Sequence, residues 1–277
     1  MITIRKMKPS DIDFGLQLCR LSNWNQLEAD WRHLFSLSPE GVFAAECDGQ
    51  ICATASAVSY GTKIGWIGMI LVHPDFRRLG IASALMKECI THLRDLNVES
   101  IKLDATDQGR PVYAKLGFTD ERTICRCVAQ KQTQGIKKHK TALDWDRIRS
   151  TDTGIFGADR TVLLKMLGRD GYSSGMLNLA ANSFGYGFAR DGFDASFIGP
   201  LIASDIDAAK IILEDLFDML PAGRIYMDIF PENKDALKLA EDMGFQVARE
   251  LMRMYLGSQG DCGKTNMIYS AAGFELG

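Results

Sequence analysis

Apolar positions in the first 128 residues follow two spacings. Residues 66–72 are almost continuously apolar, which is typical of a strand covered on both faces. From Gly80 onward the apolar residues recur at helical spacing. Together the patterns predict an α/β mixture with strands at 3–6, 42–47, 51–59, 63–72 and 100–104, helices at 10–21, 27–37, 80–96 and 111–116, and a final strand pair.

The second half of the chain repeats this order. Helices are predicted at 145–155, 159–167, 206–220 and 234–242, and strands at 176–180, 184–190, 195–202, 224–229 and 246–256. Residues 197–203 parallel 66–72, and 240–245 parallel 113–118, so we interpret the chain as a tandem repeat, with chance similarity between apolar strands as the alternative. The polar, basic segment around 130–140 divides it into domains 1–130 and 144–277 with a linker at 131–143, where a solvated charge run is expected.

The loop after the continuous apolar strand is the strongest candidate for chemistry. Pro74 cannot donate to a β-ladder, so the strand is expected to end near it. Arg77, Arg78 and Gly80 then lead into the helix, whose first amides have no partner within the helix. An anion, most simply a phosphate, is expected to bind there.

Composition narrows the function classes. The 277 residues are 46% hydrophobic and 24% charged, as in a globular protein, and the net charge of −3 argues against nucleic-acid partners and anionic membranes. Neither a leader pattern nor an apolar run of spanning length is seen. Seven scattered cysteines predict free thiols in the cytoplasm, and Cys125-x-Cys127 has no partners at zinc spacing, so no metal is expected.

These motifs resemble the GNAT superfamily of acetyl-CoA-dependent N-acetyltransferases. The family's loop Arg/Gln-x-x-Gly-x-Gly/Ala is matched by residues 77–82, and its Tyr-x-x-x-Gly-Phe helix by Tyr113, Gly117 and Phe118. The resemblance implies an α+β fold with a mixed central sheet flanked by helices, in two GNAT-like domains of which the C-terminal one is degenerate. Thr106 stands where the family often has Asn.

In the second half, Ala240 replaces the Tyr and no phosphate loop follows Ile202. Without that loop the second half is not expected to hold a pyrophosphate. One active site per chain is therefore predicted, in the first half.

The resemblance also implies the site residues. Acetyl-CoA would contact the strand end and the loop, namely Ile70, Leu71, Val72, Arg77, Arg78, Leu79, Gly80, Ile81 and Ala82. Backbone amides of Leu71 or Val72 would stabilise the oxyanion. Tyr113, with an ordinary pKa of about 10, would donate a proton to the leaving thiolate.

The acceptor amine needs a base more than the thiolate needs an acid. A lysine-like amine with a pKa of about 10.4 costs roughly 4.6 kcal/mol to deprotonate at pH 7. Asp104 is the first candidate, with His73 and Asp30 as alternatives. Trp24, Asn25 and Asp30 are candidates for an acceptor-binding wall, although Asn25 as a helix cap and Trp31 as a core residue are an equal alternative.

The expected function is transfer of an acetyl group from acetyl-CoA to a primary amine of a small molecule, by direct attack in a ternary complex. Two alternatives stay open. One is a non-enzymatic acyl-CoA sensor whose C-terminal half docks a partner. The other is a protein N-acetyltransferase, favoured if the acceptor groove is open and acidic instead of roofed by the C-terminal half. A homodimer is a further expectation.

Overall fold

The structure is a computed structural model that describes residues 1–135, 143–178, 183–259 and 263–277. The strands are β1 (Ile2–Lys6), β2 (Val42–Cys47), β3 (Gln50–Tyr60), β4 (Ile64–Val72), β5 (Ser100–Ala105), β6 (Thr119–Lys131), β7 (Tyr172–Asn178), β8 (Ser183–Arg190), β9 (Ala195–Ala203), β10 (Gly223–Ile229), β11 (Gln246–Gly257) and β12 (Ile268–Ser270). The helices are α1 (Ile12–Leu21), α2 (Glu28–Leu37), α3 (Ile81–Asp95), α4 (Arg110–Ala114), α5 (Trp145–Phe156), α6 (Thr161–Asp170), α7 (Ile206–Met219) and α8 (Lys234–Asp242). Most of these elements were predicted within a few residues, but β12 was missed.

The two halves exchange their last long strands. The sheet order is β1-β2-β3-β4-β5-β11-β6-β10-β9-β8-β7, with β12 paired to β9. Thus β11 of the second half lies between β5 and β6 of the first, and β6 in turn lies between β11 and β10. The final strand pair expected in the first half is wrong, because a single 13-residue strand is present and its partners come from the second half.

Strands β4 and β5 separate after a short parallel contact. Their pairing covers only Ile64–Trp66 against Ser100–Lys102 in the register. A bulge follows in β4, where the register against β3 shifts between Gly68 and Leu71 and Met69 adopts a positive φ of 53°. Bulges of this kind bend a strand away from its neighbour, so the cleft between β4 and β5 opens from this point.

Helices cover the sheet in two layers with different roles. On one face, α3 packs on β2–β4 and α7 packs on β8 and β9, giving each half its own core. On the other face, α1, α2, α5 and α6 share one continuous core that includes Trp31, Trp66, Phe156 and Phe188. Trp31 is fully buried there, which confirms its predicted core position.

The predicted linker begins too early. Lys131 ends β6 and is buried, with its ammonium donating to the carbonyls of Phe217, Asp218 and Leu220 at the C-terminal end of α7. Cations are stabilised at this end of a helix, so Lys131 is not part of a solvated run. Residues 136–142 lie outside the described residues.

The cysteines fit the expectation of free thiols as far as they are described. Six of them, Cys19, Cys47, Cys52, Cys89, Cys125 and Cys127, form no disulfide, and Cys262 lies outside the described residues. Within the described ranges, no helix is both long and apolar enough to cross a membrane.

Candidate active site

The cleft between β4 and β5 presents backbone amides of β4 to its interior. The N–H of His73 donates to the carbonyl of Cys52 on β3 at 2.9 Å. Since successive N–H groups of a strand point to opposite sides, the N–H of Leu71 also points to β3, whereas the N–H of Val72 points into the cleft. Of the two amides proposed for the oxyanion, the geometry favours Val72.

The loop after β4 forms the outer end of the cleft. Arg77 is anchored there, because its Nε donates to the carbonyl of Val72 at 3.2 Å. Arg78 and Gly80 both have positive φ angles, 64° and 80°, and a side chain at Gly80 would meet nothing within 4 Å. The side chain of Ile81 is buried in the core, so only its amide can reach a ligand in the cleft. The amides at the start of α3 therefore face open space beside two arginines, which is the arrangement that binds phosphates.

Tyr113 on α4 stands where two cavities meet. One is an open groove of about 650 Å³ that runs from Arg77 and Ala82 past Val72. The other is an inner pocket of about 80 Å³ beside Gly68 and Met69. Tyr113 lines both, and burial raises the pKa of Tyr113 to about 12, which keeps its phenol protonated at neutral pH.

The inner pocket is lined mainly by the first half, and the second half closes one side of it. Arg249 and Leu251 of β11 line it, together with Phe274 of the C-terminal segment 271–277. That segment is held against the first half by hydrogen bonds from Trp66 Nε1 to the carbonyl of Phe274 and from Tyr60 to the carbonyl of Leu276, at 2.9 and 2.7 Å. It passes so close to β4 that a Cβ on Gly68 would lie 3.0 Å from the Cα of Glu275.

Asp104 lies in the wall of the inner pocket, but both of its oxygens are engaged. Arg253 of β11 donates Nε and Nη2 to them at 2.8 and 2.9 Å, and the carboxylate is fully buried. Burial raises the pKa of Asp104, and the charge and hydrogen bonds of Arg253 oppose that shift only in part. Taking a proton from the acceptor would break this pair, so the geometry does not fit the general-base role expected for Asp104.

The predicted acceptor wall is only partly present. Trp24 lines both cavities. Asn25 also lines the inner pocket, but its Oδ1 accepts from the amides of Asp194 and Ala195 and its Nδ2 donates to the carbonyl of Ala195, at 2.8 to 3.0 Å. Asn25 therefore joins the two halves; it does not cap α2, which begins after Leu27.

The two alternative bases lie outside both cavities. Asp30 is buried between the Leu27 amide, at 2.7 Å, and Arg190, at 3.2 Å. His73 accepts a long hydrogen bond of 3.4 Å from the amide of Asp75 at the start of the loop. Neither side chain is placed to contact an acceptor in the inner pocket.

In the second half, the counterpart of the cofactor cleft is filled by the chain itself. Strand β12 pairs with β9 where β9 diverges from β10, and Ser270 Oγ donates to the carbonyl of Ile198 at 2.7 Å. Only Ser204 and Asp205 separate β9 from α7, and the Asp205 carboxylate accepts from the Ala208 amide at 2.9 Å. A carboxylate thus occupies the helix N-terminus that a phosphate would need.

Several lining residues of the inner pocket were missed from the sequence, among them Gln26, Arg126, Arg249 and Phe274. Gln26 lies within the segment 24–31 that was considered as an acceptor wall, so a signal for it was present. Arg249 and Phe274 are brought to the first half by the strand exchange and by the C-terminal segment. Arg126 belongs to β6, which the exchange separates from β5, and no local pattern indicates either arrangement.

Comparison with known proteins agrees with this geometry. The model of the acetyltransferase (GNAT) family matches residues 15–118, and that of an acetyltransferase (GNAT) domain matches residues 148–270. The uncharacterized N-acetyltransferase YitH of Bacillus subtilis (strain 168) is 27% identical over 255 residues, covering 87% of this chain and 86% of its own.

Solved structures share the whole two-domain arrangement. A candidate acetyltransferase from Pyrococcus horikoshii aligns with a TM-score of 0.81 at 24% identity, over 100% of this chain and 96% of that one. A tandem GNAT protein from the clavulanic acid biosynthesis pathway aligns with a TM-score of 0.64 at 11% identity, over 94% and 100%. With both halves matched by family models and the tandem fold shared, this chain belongs to the GNAT acetyltransferase family and is an enzyme with two GNAT domains.

Proposed function

We propose that the enzyme transfers an acetyl group from acetyl-CoA to a primary amine of a small molecule, at one active site in the first half. The carrying observation is that the groove beside the phosphate-type loop meets the inner pocket at Tyr113. A thioester in the groove and an amine in the pocket would therefore meet at this point, with both substrates bound at once.

The proposal assigns residues of the chain to cofactor binding, to the oxyanion and to the leaving thiolate. The loop amides, Arg77 and Arg78 hold the pyrophosphate of acetyl-CoA. The amine attacks the thioester carbonyl, and the N–H of Val72 stabilises the oxygen that becomes negative. As the C–N bond stays and the C–S bond breaks, Tyr113 donates its proton to the thiolate and is reprotonated from water.

The proton of the attacking amine goes to water in this scheme. Asp104 is committed to Arg253 and acts as a positioning residue, because the pair fixes β11 beside the pocket. The proposal assigns no side chain as the base, so the amine loses its proton to water that enters from the open groove beside the pocket.

The roofed inner pocket favours a small-molecule acceptor over a protein. Phe274 and Leu251 cover it, and its charged lining consists of Asp104, Arg126 and Arg249, so it is neither open nor acidic. Free cysteines are compatible with the cytoplasm, which we propose as the location. A homodimer stays a prediction.

Release of coenzyme A tests the proposal directly. The protein is incubated with acetyl-CoA and a panel of amines, and free thiol is followed with a chromogenic reagent. Titration calorimetry is expected to give one acetyl-CoA per chain, with binding weakened in Arg77→Ala and unchanged in Arg94→Ala, an exposed arginine at the far end of α3. Binding without turnover on any amine would favour the acyl-CoA sensor, and two sites per chain would contradict the role assigned to the second half.

A further inference from the structure

The charges around the inner pocket leave one cation without a partner. Asp104 is paired with Arg253, and Arg126 donates Nε and Nη2 to the two oxygens of Asp228 at 2.8 and 2.7 Å. Arg249, the remaining charged residue of the lining, forms no ion pair within the part of the chain that the structure describes, and its guanidinium lies 5.1 Å from the centre of the Phe274 ring. The pocket therefore carries a net positive charge.

The backbone of β11 directs Arg249 to this position. The register against β6 shifts between Val247 and Arg249, so Ala248 is an extra residue in the strand. Bulges next to active sites commonly re-aim a side chain in this way. Arg249 thus falls on the same face of β11 as Leu251, and it lines both the inner pocket and the groove.

Although Arg249 lines the inner pocket, its side chain is exposed, so a ligand can reach its guanidinium. Partial desolvation and the neighbouring Arg126 both lower the pKa of Arg249, while the attraction of Asp228 is weaker. A bound anion would offset the repulsion between Arg126 and Arg249, because guanidinium groups bind carboxylates with two parallel hydrogen bonds.

A second polar group of the same pocket also lacks a partner. Gln26 is 7% exposed, and its Nε2 donates to Glu275 Oε2 at 3.0 Å. The Glu275 carboxylate, itself paired with Arg190 at 2.9 Å, fixes which end of the amide is nitrogen. Gln26 Oε1 is consequently left buried with no hydrogen-bond partner among the described residues. This oxygen has almost no accessible surface, so the Gln26 side chain must rotate slightly before Oε1 can accept from an N–H group of a ligand.

We propose that the acceptor is an amino acid, whose carboxylate binds Arg249 and whose amino group donates to Gln26 Oε1. This inference rests on the proposed function. An amino acid offers the two complementary groups on one small molecule. The pocket volume of about 80 Å³ corresponds to roughly three water molecules, so it admits the backbone end of a free amino acid and little more before side chains adjust.

The test compares amino acids with the amines that lack only the carboxylate. Coenzyme A release is measured with acetyl-CoA and the twenty common amino acids, and each that reacts is compared with its decarboxylated amine. We expect the amino acid to have a kcat/KM about 10- to 100-fold higher. In Arg249→Gln this ratio should fall towards one, whereas Arg94→Gln should keep the wild-type ratio.

Binding without chemistry separates this inference from the proposed function. Calorimetry with the same amino acids, in the presence of coenzyme A, is expected to detect binding that Arg249→Gln weakens by a similar factor. Amino-acid binding without turnover would contradict the proposed acetyl transfer but support the assignment of the pocket as an amino-acid site. Turnover of amines with no preference for the carboxylate, an unchanged ratio in Arg249→Gln, or absence of amino-acid binding would overturn the assignment of the acceptor.

Discussion

The buried pair between Asp104 and Arg253 joins the exchanged strand β11 to β5, and we predict that breaking it from one side destabilises the whole chain. In Arg253→Met, the Asp104 carboxylate is left buried without a counter-charge. Removing one partner of a buried ion pair lowers the free energy of unfolding by about 3–5 kcal/mol. The guanidinium also lies 4.5 Å from the centre of the Trp66 ring, and that contact is lost as well.

A second variant distinguishes the lost charge balance from a general disturbance. In Asp104→Leu with Arg253→Met, both charges are removed together, and the free energy of unfolding should return to within about 1 kcal/mol of the wild type. Lys63→Met is the control for an exposed pair, since Lys63 and Glu99 are 63% and 48% exposed, and it should cost less than about 1 kcal/mol.

The assay is urea unfolding followed by tryptophan fluorescence and circular dichroism. Three of the four tryptophans, Trp24, Trp31 and Trp66, lie in the first half and Trp145 lies in α5, so fluorescence reports mainly on the first half, whereas circular dichroism reports on both. Because the halves share strands, the two signals should change in one transition. The reasoning is refuted if Arg253→Met costs no more than Lys63→Met, or if much of the circular dichroism persists after fluorescence has reached its unfolded value.

The pH dependence of this variant has a defined sign. Burial raises the folded-state pKa of Asp104 above its ordinary value of 3.8, and Arg253→Met removes the opposing interaction. A carboxyl group whose pKa is raised in the folded state contributes stability that is fully present below its pKa in the unfolded state. That contribution is lost as pH rises through its pKa in the folded state. The deficit relative to wild type should therefore be smaller at pH 5 than at pH 8.

Three further predictions concern the two ends of the active site and the second half. Tyr113→Phe should lower kcat about 10- to 100-fold with little change in the KM for acetyl-CoA, whereas the control Tyr255→Phe should not. Because the pKa of Tyr113 is about 12, its ionisation should cause no decline in kcat between pH 7 and 10. Equal kcat in Tyr113→Phe and wild type would contradict the role of Tyr113 as the acid. Gly80→Val should lower the free energy of unfolding by about 1–2 kcal/mol through backbone strain and should raise the KM for acetyl-CoA. Gly61 has a similar positive φ of 62° and equally open space, so Gly61→Val should lower stability by the same amount without changing the KM. Equal KM values in the two variants would contradict the assignment of the loop. Asp205→Ala should lower the free energy of unfolding by about 1 kcal/mol at pH 7. Hydrogen bonds from Ser204 and the Ala208 amide lower the pKa of Asp205, so the difference from wild type should shrink as pH falls below 3.8. Urea unfolding midpoints at pH 7 and pH 3 measure this difference, and a difference independent of pH would argue against the cap.

Local patterns were sufficient for the helices and for most strands. The helical spacing from Ile81 to Leu93 and the mostly continuous apolar runs in β2 to β4 depend on burial within one half, so the sequence of that half determines them. The loop at 77–82 was also found locally, because its glycine and arginines are adjacent in the chain. Its role as a cofactor site stays a prediction.

The inner pocket could not be predicted because its chemistry depends on pairing between distant strands. Asp104 looked available at the end of β5, but its partner Arg253 is 149 residues away and arrives only through the exchange. Asn25 looked like a helix cap, but it bonds to the backbone of Asp194 and Ala195 across the same interface. A sheet register between two repeats has no signal in either repeat alone.

The strand exchange makes the second half necessary for the sheet of the first half, although the gap between its own strands β9 and β10 is filled. Strand β6 has both of its neighbours, β11 and β10, in the second half, and β5 would lose its partner on one side if β11 were absent. Unpaired strands expose backbone groups and invite association. The second half also supplies Arg249 and Phe274 to the inner pocket. Because β12 occupies the gap between β9 and β10 and Asp205 caps α7, the second half does not repeat the arrangement of the first. It instead completes the sheet of the first half and closes one side of the inner pocket.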